Sequence, residues 1–289
     1  MIAGFDRSTL AGIEKFQEAL LREQVSYLLA HSPFYKRMFA EQHLSAADIC
    51  TLGDLKKIPT TSKNDLQQHN DDFFCVDKRE IIDYCTTSGT LGAPVTFGLT
   101  DRDLDRLAFN ELKSFESMGV GKGDIVQLMT TMDRRFMAGM AYFLGLRKLG
   151  AAVLRVGSGI PQLQWDSILT YKPKFLIAVP SFLLKMIEYA ELHGIDYQNS
   201  SVERVLGIGE SLRTTSFGNT LLTQRIIEKW PIQLFSTYAS TEMGAAFTEC
   251  TAFQGGQLRE ELIITWVRDK KEEAVLDGEP GELVVTTLG

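Results

Sequence analysis

The 289-residue sequence lacks any apolar run near the roughly 20 residues that a bilayer-spanning helix needs, so no membrane partner is expected. Its N-terminus has no basic segment followed by an apolar stretch, so we see no signal peptide and take a cytoplasmic location as the default. The four cysteines form no CxxC pair. We therefore expect reduced, mostly buried thiols and no disulfide or metal framework.

The sequence also lacks a concentration of positive charge. The net charge is −7, and no basic cluster is longer than the pairs Lys56-Lys57, Arg134-Arg135 and Lys270-Lys271. Because a nucleic acid is bound by a basic face that neutralises many phosphates, this distribution argues against nucleic acid as the main partner. A single nucleotide stays compatible with the sequence, since one local site can bind it. The chain length allows either two domains or one large α/β domain.

Short apolar runs alternate with helical patterns through the middle of the chain. The β-prone runs occupy 125–129, 152–156, 175–179, 202–208 and 232–235, and helical patterns at 134–149, 162–171, 181–193 and 214–229 separate them. This alternation predicts right-handed βαβ units and a parallel sheet. The runs are apolar on both faces, which is typical of parallel strands that helices cover.

The two ends of the chain have a different pattern. Residues 8–31 read as an amphipathic helix that Ser32-Pro33 ends, and 262–267 and 282–287 read as antiparallel strands. The sequence thus predicts the α/β class, with a mostly parallel sheet flanked by helices and a small β-rich C-terminal portion. The expected division is a helical N-terminal region (1–80), an α/β nucleotide-binding core (81–242) and a β-rich segment (243–289).

A loop with the sequence TTSGTLGAP, residues 86–94, lies between two β-prone runs. Its hydroxyls and backbone N–H groups can bind an anion, and its glycines allow close approach of the backbone. The loop is not of the GxxxxGKS or GxxxxGKT type, because the spacing from Gly89 to Gly92 is wrong and no lysine follows. An ordinary hairpin turn is the alternative interpretation.

Two further segments follow predicted strands, where ligands bind in open α/β sheets. The glycines of Gly207-Ile208-Gly209-Glu210-Ser211 would let a flat ring or a phosphate approach the backbone, although a plain strand-to-helix turn would look the same. The segment from Ser236 to Glu242 combines an aromatic ring, hydroxyls and a carboxylate suited to Mg²⁺. Its alternative interpretation is a helix N-cap at Ser240 or Thr241.

In this combination and order, the three segments resemble the adenylate-forming superfamily of acyl-CoA synthetases, adenylation domains and luciferases. Residues 87–94 match its TSGTTGKP loop, residues 238–242 match its YGxTE segment, and Gly209-Glu210 matches its GGE or GAE turn. The runs SPFY (32–35), IPTTSK (58–63), EC (249–250) and GEPGELVVTTL (278–288) are similar to the phenylacetate-CoA ligase branch. The resemblance covers the whole chain.

The resemblance implies a two-step reaction, in which ATP activates a carboxylic acid as an acyl-adenylate and the thiol of coenzyme A then takes the acyl group. It implies Thr241 and Glu242 as catalytic residues, with Thr241 at the α-phosphate and Glu242 holding Mg²⁺. The implied ATP/AMP-binding set is Thr87, Ser88, Gly89, Thr90, Gly92, Gly209, Glu210, Ser211, Tyr238, Ala239, Ser240 and Thr241. Ser88, Gly89, Thr90 and Gly92 would face the phosphates, Gly209 and Glu210 would lie beside the adenine, and Tyr238 would stack on it.

The acid is expected between the helix 134–149 and the turn at 207–211. Candidate walls are Phe136, Met137, Gly139, Met140 and Ala239. Residues Phe136, Met140 and Phe143 have helical spacing, however, which is also typical of ordinary core residues. From the resemblance, an aryl or aryl-acetic acid is the expected substrate.

The sequence departs from the superfamily pattern at three positions. Ala93 stands where the loop usually has lysine, Leu91 replaces the second threonine, and Ala239 replaces the glycine of the aromatic segment. The ribose-binding aspartate and a C-terminal lid domain would follow Gly289, so we expect most of the large N-terminal domain without its lid. An acyl carrier protein as acceptor, a nucleotide-binding module with little turnover, and a homodimer stay open as alternatives.

Overall fold

The computed structural model describes residues 8–87 and 93–289. Its helices are α1 (Leu10–His31), α2 (Pro33–Glu41), α3 (Lys63–Gln68), α4 (Asp101–Ser117), α5 (Met137–Leu149), α6 (Pro161–Tyr171), α7 (Pro180–His193) and α8 (Leu221–Lys229). Its strands are β1 (Asp83–Thr86), β2 (Thr96–Leu99), β3 (Ile125–Leu128), β4 (Ala152–Arg155), β5 (Phe175–Ala178), β6 (Arg204–Gly207), β7 (Gln233–Ser240), β8 (Ala245–Glu249), β9 (Gly256–Gln257), β10 (Ile263–Arg268) and β11 (Glu282–Thr287).

The chain divides into two compact units. A terminal unit comprises Met1–Asp101 with Leu258–Gly289, and a central unit comprises Arg102–Gln257. In the described part of the central unit, seven strands form one sheet in the order β4-β3-β5-β6-β7-β8-β9. The strands from β4 to β7 are parallel, whereas β7, β8 and β9 pair antiparallel. The predicted α/β class with a mostly parallel, helix-flanked sheet is confirmed.

Helices cover both faces of the central sheet, and each face has its own apolar core. Leu176 and Ala178 of β5 pack in one cluster with the buried Trp165 and Trp230, whose ring centroids lie 5.2 Å apart. The alternate side chains of β5 pack on the opposite face with residues of α4 and α5. Because both faces of these strands are buried, their sequences read as continuous apolar runs.

Two predicted boundaries in the central unit are wrong by five residues or more. The helix expected over 214–229 begins at Leu221, where the Thr220 hydroxyl accepts a hydrogen bond from the Thr223 N–H and caps it. The preceding residues form a small turn instead, closed by a β-bridge between Arg213 and Asn219. The strand expected over 232–235 runs on to Ser240, because β8 provides it with an antiparallel partner.

Helix α4 fixes the position of β8 through one buried side chain. The Asn110 Nδ2 donates to the Ala246 carbonyl (3.2 Å), and its Oδ1 accepts from the Ala246 N–H (2.7 Å). Asn110 is fully buried. Its amide makes the two backbone hydrogen bonds to Ala246 that a neighbouring strand would otherwise make. One turn earlier on α4, the Arg106 Nη1 donates to the Gly244 carbonyl at 3.1 Å. The helix thus anchors both β8 and the turn before it.

The terminal unit contains two antiparallel strand pairs. The pairing of β10 with β11 agrees with the antiparallel strands predicted over 262–267 and 282–287, and β1 pairs with β2 where two β-prone runs flank the TTSGTLGAP loop. Helix α1 ends at Ser32 as predicted, but the same residue begins α2: its side chain accepts from the Tyr35 N–H, and Pro33 takes the first helical position. Gln17 of α1 donates to the carbonyls of Glu260 and Ile263 and holds β10.

The four cysteines are free thiols. Only Cys85 is buried, while Cys50 is exposed, so the expectation that the thiols are mostly buried is wrong. Burial raises the pKa of the Cys85 thiol to about 12, and the nearby Asp83 carboxylate adds to this shift. Among the described helices, none combines the length and the apolar character that crossing a bilayer would require.

Replacing Asn110 by alanine should destabilise the central unit. The Asn110→Ala substitution leaves the buried N–H and C=O of Ala246 without partners, so we expect the free energy of unfolding to fall by about 1–3 kcal/mol. Urea unfolding followed by circular dichroism measures the change. The matched control is Lys113→Ala on the same helix, which removes an exposed ion pair to Glu116 and a contact of the ammonium with the Phe109 ring (5.9 Å to the centroid), and which should change the stability little. Equal stability of the two variants would contradict the role given to Asn110.

Candidate active site

The glycine turn and the aromatic segment lie side by side at the carboxyl edge of the sheet. Strands β6 and β7 pair parallel with Gly207 opposite Ser236. The segments that follow these two residues therefore both lie at the same edge of the sheet. Gly207 is required for packing, because a Cβ there would meet Leu212 Cδ1 at 2.7 Å. Gly209 has a φ of 76° and open space around its Cα, which leaves its backbone accessible to a ligand.

Glu210 of this turn is hydrogen-bonded to the start of helix α7. Its Oε2 accepts a hydrogen bond of 2.7 Å from the Ser181 N–H in the first turn of α7. A carboxylate at this position also interacts favourably with the positive end of the helix. The turn therefore caps α7 and does not itself start a helix, so the strand-to-helix interpretation of residues 207–211 is wrong. The exposed Ser211 donates its hydroxyl to the Arg213 carbonyl at 2.8 Å.

The aromatic segment forms the end of β7. Ser236 and Tyr238 share one face of the strand, and Thr237 and Ala239 share the other. Tyr238 is 61% exposed and lies opposite Phe247 of β8, with ring centroids 6.2 Å apart. Because the strand turns back as a hairpin, no helix begins at Ser240 or Thr241, and the N-cap interpretation is wrong.

The hairpin turn displays the predicted catalytic carboxylate. The Ser240 hydroxyl accepts a hydrogen bond of 3.1 Å from the Met243 N–H, which closes the turn. Gly244 has a φ of 57°, and its carbonyl accepts from Arg106. Burial lowers the pKa of Arg106, partly opposed by the charge of Asp103. Between these fixed ends, Thr241 is half-buried and Glu242 is exposed, so the Glu242 carboxylate is accessible to a cation.

A cleft of about 260 Å³ lies beside Tyr238 in the central unit. Its lining combines three aromatic rings with an ion pair and consists of Arg213, Phe217, Ser236, Tyr238, Phe247, Glu249, Gly255 and Gly256. The Arg213 and Glu249 side chains are 11% and 2% exposed, and they pair at 3.0 Å. Arg213 was not predicted as a site residue, and Glu249 stood out only as part of a family run. Nothing local to Arg213 marks it, because its partner lies 36 residues further along the chain.

The predicted phosphate loop lies mostly outside the described residues. Ser88, Gly89, Thr90 and Gly92 belong to the segment 88–92, and their assignment to the phosphates stays a prediction. Thr87 is buried, and its hydroxyl accepts a hydrogen bond of 3.0 Å from the Val95 N–H. It thereby joins the two strands that flank the loop, β1 and β2, beyond their last paired residues.

The predicted acid-binding residues lie on α5 and β7. Helix α5 begins at Met137 and not at 134, with Phe136 as its 38% exposed N-cap residue. Gly139 is buried, and a Cβ there would collide with the backbone of Thr131, so this glycine is explained by packing. Met140 is half-buried and Ala239 is exposed. The assignment of Phe136, Met137, Gly139, Met140 and Ala239 to one acid pocket stays a prediction.

The chain is similar to several phenylacetate-coenzyme A ligases. It is 27% identical to that of Pseudomonas putida over 98% of this chain, and 28% identical to that of Escherichia coli (strain K12) over 96%. In both cases the match spans 64% of the relative's length. The chain therefore covers slightly less than two thirds of these curated relatives.

Solved structures with the same fold include acyl-CoA ligases. The 2-hydroxyisobutyryl-CoA ligase in complex with 2-HIB-AMP and CoA superposes with a TM-score of 0.86 at 25% identity, covering 97% of this chain and 61% of that one. A long-chain-fatty-acid-CoA ligase from Archaeoglobus fulgidus shares the fold with a TM-score of 0.57 at 18% identity, over 78% and 47% of the two chains. The family model described as AMP-binding enzyme matches residues 11–289, and the chain belongs to this family.

Proposed function

We propose that this chain uses ATP to activate a carboxylic acid as an acyl-adenylate and transfers the acyl group to coenzyme A. The relatives that support the proposal are ligases that act on phenylacetate, and a solved relative was captured with 2-HIB-AMP and CoA. An aryl or aryl-acetic acid is the substrate class that we propose, and a cytoplasmic location suits a small-molecule reaction of this kind. We also expect a thiol acceptor on coenzyme A in preference to an acyl carrier protein.

The observation that carries the proposal is the pairing of β6 with β7. It brings the exposed backbone at Gly209 and the exposed ring of Tyr238 to one edge of the sheet. Adenine is flat and apolar on its faces, so it can stack on a tyrosine ring while a glycine backbone approaches its edge. Gly209, Glu210 and Ser211 with Tyr238 are therefore our adenine-side residues.

The hairpin turn after Tyr238 offers the polar groups that a phosphate chain and its cation need. We propose that Thr241 contacts the α-phosphate through its hydroxyl, and that Glu242 holds Mg²⁺ through its exposed carboxylate. An oxygen ligand on a fixed turn fits Mg²⁺, which is usually held by one or two carboxylates together with substrate phosphates. When bound, the ion neutralises phosphate charge, and the chain's part is positioning. Ala239 and Ser240 would border the nucleotide between Tyr238 and this turn.

A second candidate function is nucleotide binding with little turnover. Ala93 occupies the position where the family loop usually has a lysine, and its carbonyl accepts a hydrogen bond from the Gln67 side-chain amide. An alanine cannot place a positive charge beside the phosphates, so the developing charge of the transferred group would have one stabilising partner fewer. This candidate predicts nucleotide affinity without acyl-adenylate formation.

Acid-dependent exchange of pyrophosphate into ATP tests the proposed function. We expect exchange when phenylacetate is present, and thioester formation after coenzyme A is added. Exchange without a dependence of the product on coenzyme A would favour a carrier protein as acceptor. ATP binding without exchange would favour the nucleotide-binding module. If no acid in a panel of aryl, aryl-acetic and hydroxy acids supports exchange and ATP produces no thermal shift, the proposed function is wrong.

Removal of the Tyr238 ring should weaken nucleotide binding. Base–aromatic stacking contributes ~1–3 kcal/mol, so Tyr238→Ala should lower the affinity for AMP about tenfold or more, whereas Tyr238→Phe should bind nearly as the wild type does. Isothermal titration calorimetry with AMP measures both variants. Tyr171→Ala is the matched control, since Tyr171 is a similarly exposed tyrosine on α6. An unchanged affinity in Tyr238→Ala would exclude stacking on this ring.

Neutralising Glu242 should weaken the binding of Mg²⁺ and leave the binding of the adenine base unchanged. Glu242→Gln keeps the shape of the side chain but removes its charge, so we expect ATP binding to lose its dependence on Mg²⁺ while AMP binding without the ion persists. Titrations of ATP across a Mg²⁺ series measure this difference. Glu188→Gln on the exposed side of α7 is the charge-matched control. A normal Mg²⁺ dependence in Glu242→Gln would remove the metal assignment.

A further inference from the structure

The ion pair between Arg213 and Glu249 has the geometry of a fixed clamp. The Arg213 Nε and Nη2 donate to the two carboxylate oxygens of Glu249, each at 3.0 Å. Both side chains are nearly excluded from solvent. A bidentate pair of this kind sets both the distance and the angle between its partners, since the guanidinium and the carboxylate are planar.

The clamp also reaches the backbone of β7 on both sides of Phe235. The Arg213 Nη2 donates to the Leu234 carbonyl (2.7 Å), and the Ser236 N–H donates to the Glu249 Oε2 (2.8 Å). The Arg213 Nη1 donates to the Asn219 side chain, which closes the small turn 213–219. One ion pair thus joins the segment after the glycine turn, the strand of Tyr238 and the end of β8.

The ends of the clamp lie next to the residues that we assign to the nucleotide. Arg213 follows Ser211 by two residues, and its carbonyl accepts the Ser211 hydroxyl. Ser236, held by Glu249, lies two residues before Tyr238 on the same face of β7. The Arg213 guanidinium lies 5.1 Å from the ring centroid of Phe253, which limits its alternative orientations. A shift of the pair would therefore move both nucleotide-binding segments.

Stability alone does not account for this pair. Removing two charges from water costs free energy, and replacement of a buried pair by apolar residues is often neutral or stabilising. What an apolar pair cannot provide is the directional set of bonds to Leu234, Ser236 and Asn219. The pair is thus better suited to fixing a geometry than to holding the fold together.

We propose that the Arg213–Glu249 pair positions the nucleotide site, by fixing the separation between the Gly209–Ser211 turn and the Tyr238 strand. Both residues are positioning residues that act through Ser211 and Tyr238 and touch no reacting atom. The inference rests on the proposed function, because it assigns these two segments to an adenine nucleotide. A displacement of about 1 Å at such a site substantially lowers the affinity for the nucleotide and the rate of its reaction, since both depend on prearranged contacts.

The decisive variant is the double substitution Arg213→Met with Glu249→Met. It removes both charges together, so no unpaired charge is left in the fold, and water from the adjoining cleft can reach the freed backbone groups. We expect a melting temperature within a few degrees of the wild type, an AMP affinity lower by on the order of tenfold or more, and faster amide hydrogen exchange in peptides covering 236–240. A purely structural pair would leave the AMP affinity of the folded variant unchanged.

A second variant and a control test the proposal even if the double variant folds poorly. Arg213→Lys retains the positive charge but cannot make the two-pronged contact, so its AMP affinity should also fall although Glu249 stays paired. Ile226→Val removes one buried methyl group from the core at α8 and should lower stability without changing affinity.

The outcomes separate the two proposals. Wild-type AMP affinity and hydrogen exchange in either clamp variant would overturn the positioning role while leaving the proposed function intact. A wild-type chain without affinity for AMP or ATP would overturn the proposed function, and this inference with it. A parallel loss of affinity in Ile226→Val would show that affinity follows stability, which also overturns the positioning role.

Discussion

The parallel pairing of β6 with β7 is the constraint on which the candidate site depends. Its register places Gly207 opposite Ser236, so the glycine turn and the Tyr238 strand leave the sheet at one edge. Side chains alternate along a strand, and a slip of one residue would exchange every side chain between the faces. Tyr238 would then leave the cleft, and Ala239 would enter it. The buried Leu234 and Phe235, which pack in cores on opposite faces of the sheet, prevent this slip.

The hairpin of β7 and β8 is held from both of its faces, and only its tip is left free to bind. From the α4 side, the Asn110 amide is hydrogen-bonded to the Ala246 backbone, and Arg106 donates to the Gly244 carbonyl. From the cleft side, Arg213 and Glu249 hold the start of Tyr238's strand. The exposed residues that remain, Tyr238 and Glu242 among them, thus lie on a rigid support, as a prearranged binding site requires.

Elements whose structure is decided by local sequence pattern were predicted, whereas elements whose structure is decided by a distant partner were missed. The parallel strands were predicted because their apolar runs reflect burial on both faces. The extension of β7 over Ser236–Ser240 was missed, since hydroxyl residues before Glu242 also fit a helix cap, and only pairing with residues 245–249 decides between them. The start of α8 was placed too early, because the bridge from Arg213 to Asn219 closes these residues into a turn and leaves Thr220 as the cap. No feature of the sequence around Arg213 marked it as part of the site, since its partner Glu249 lies 36 residues away.

The replacement of the usual glycine by Ala239 can be understood from the same alternation. Ala239 lies in extended backbone, where a methyl group causes no strain. Its side chain lies on the face of β7 opposite Tyr238, which is the face on which Phe235 packs with residues of α4 and α5. The substitution therefore leaves the face that we assign to the nucleotide unchanged and adds volume only on the α5 side. Since the acid is expected on that side, we propose that the Ala239 side chain affects the size of the acid accepted, while its backbone borders the nucleotide.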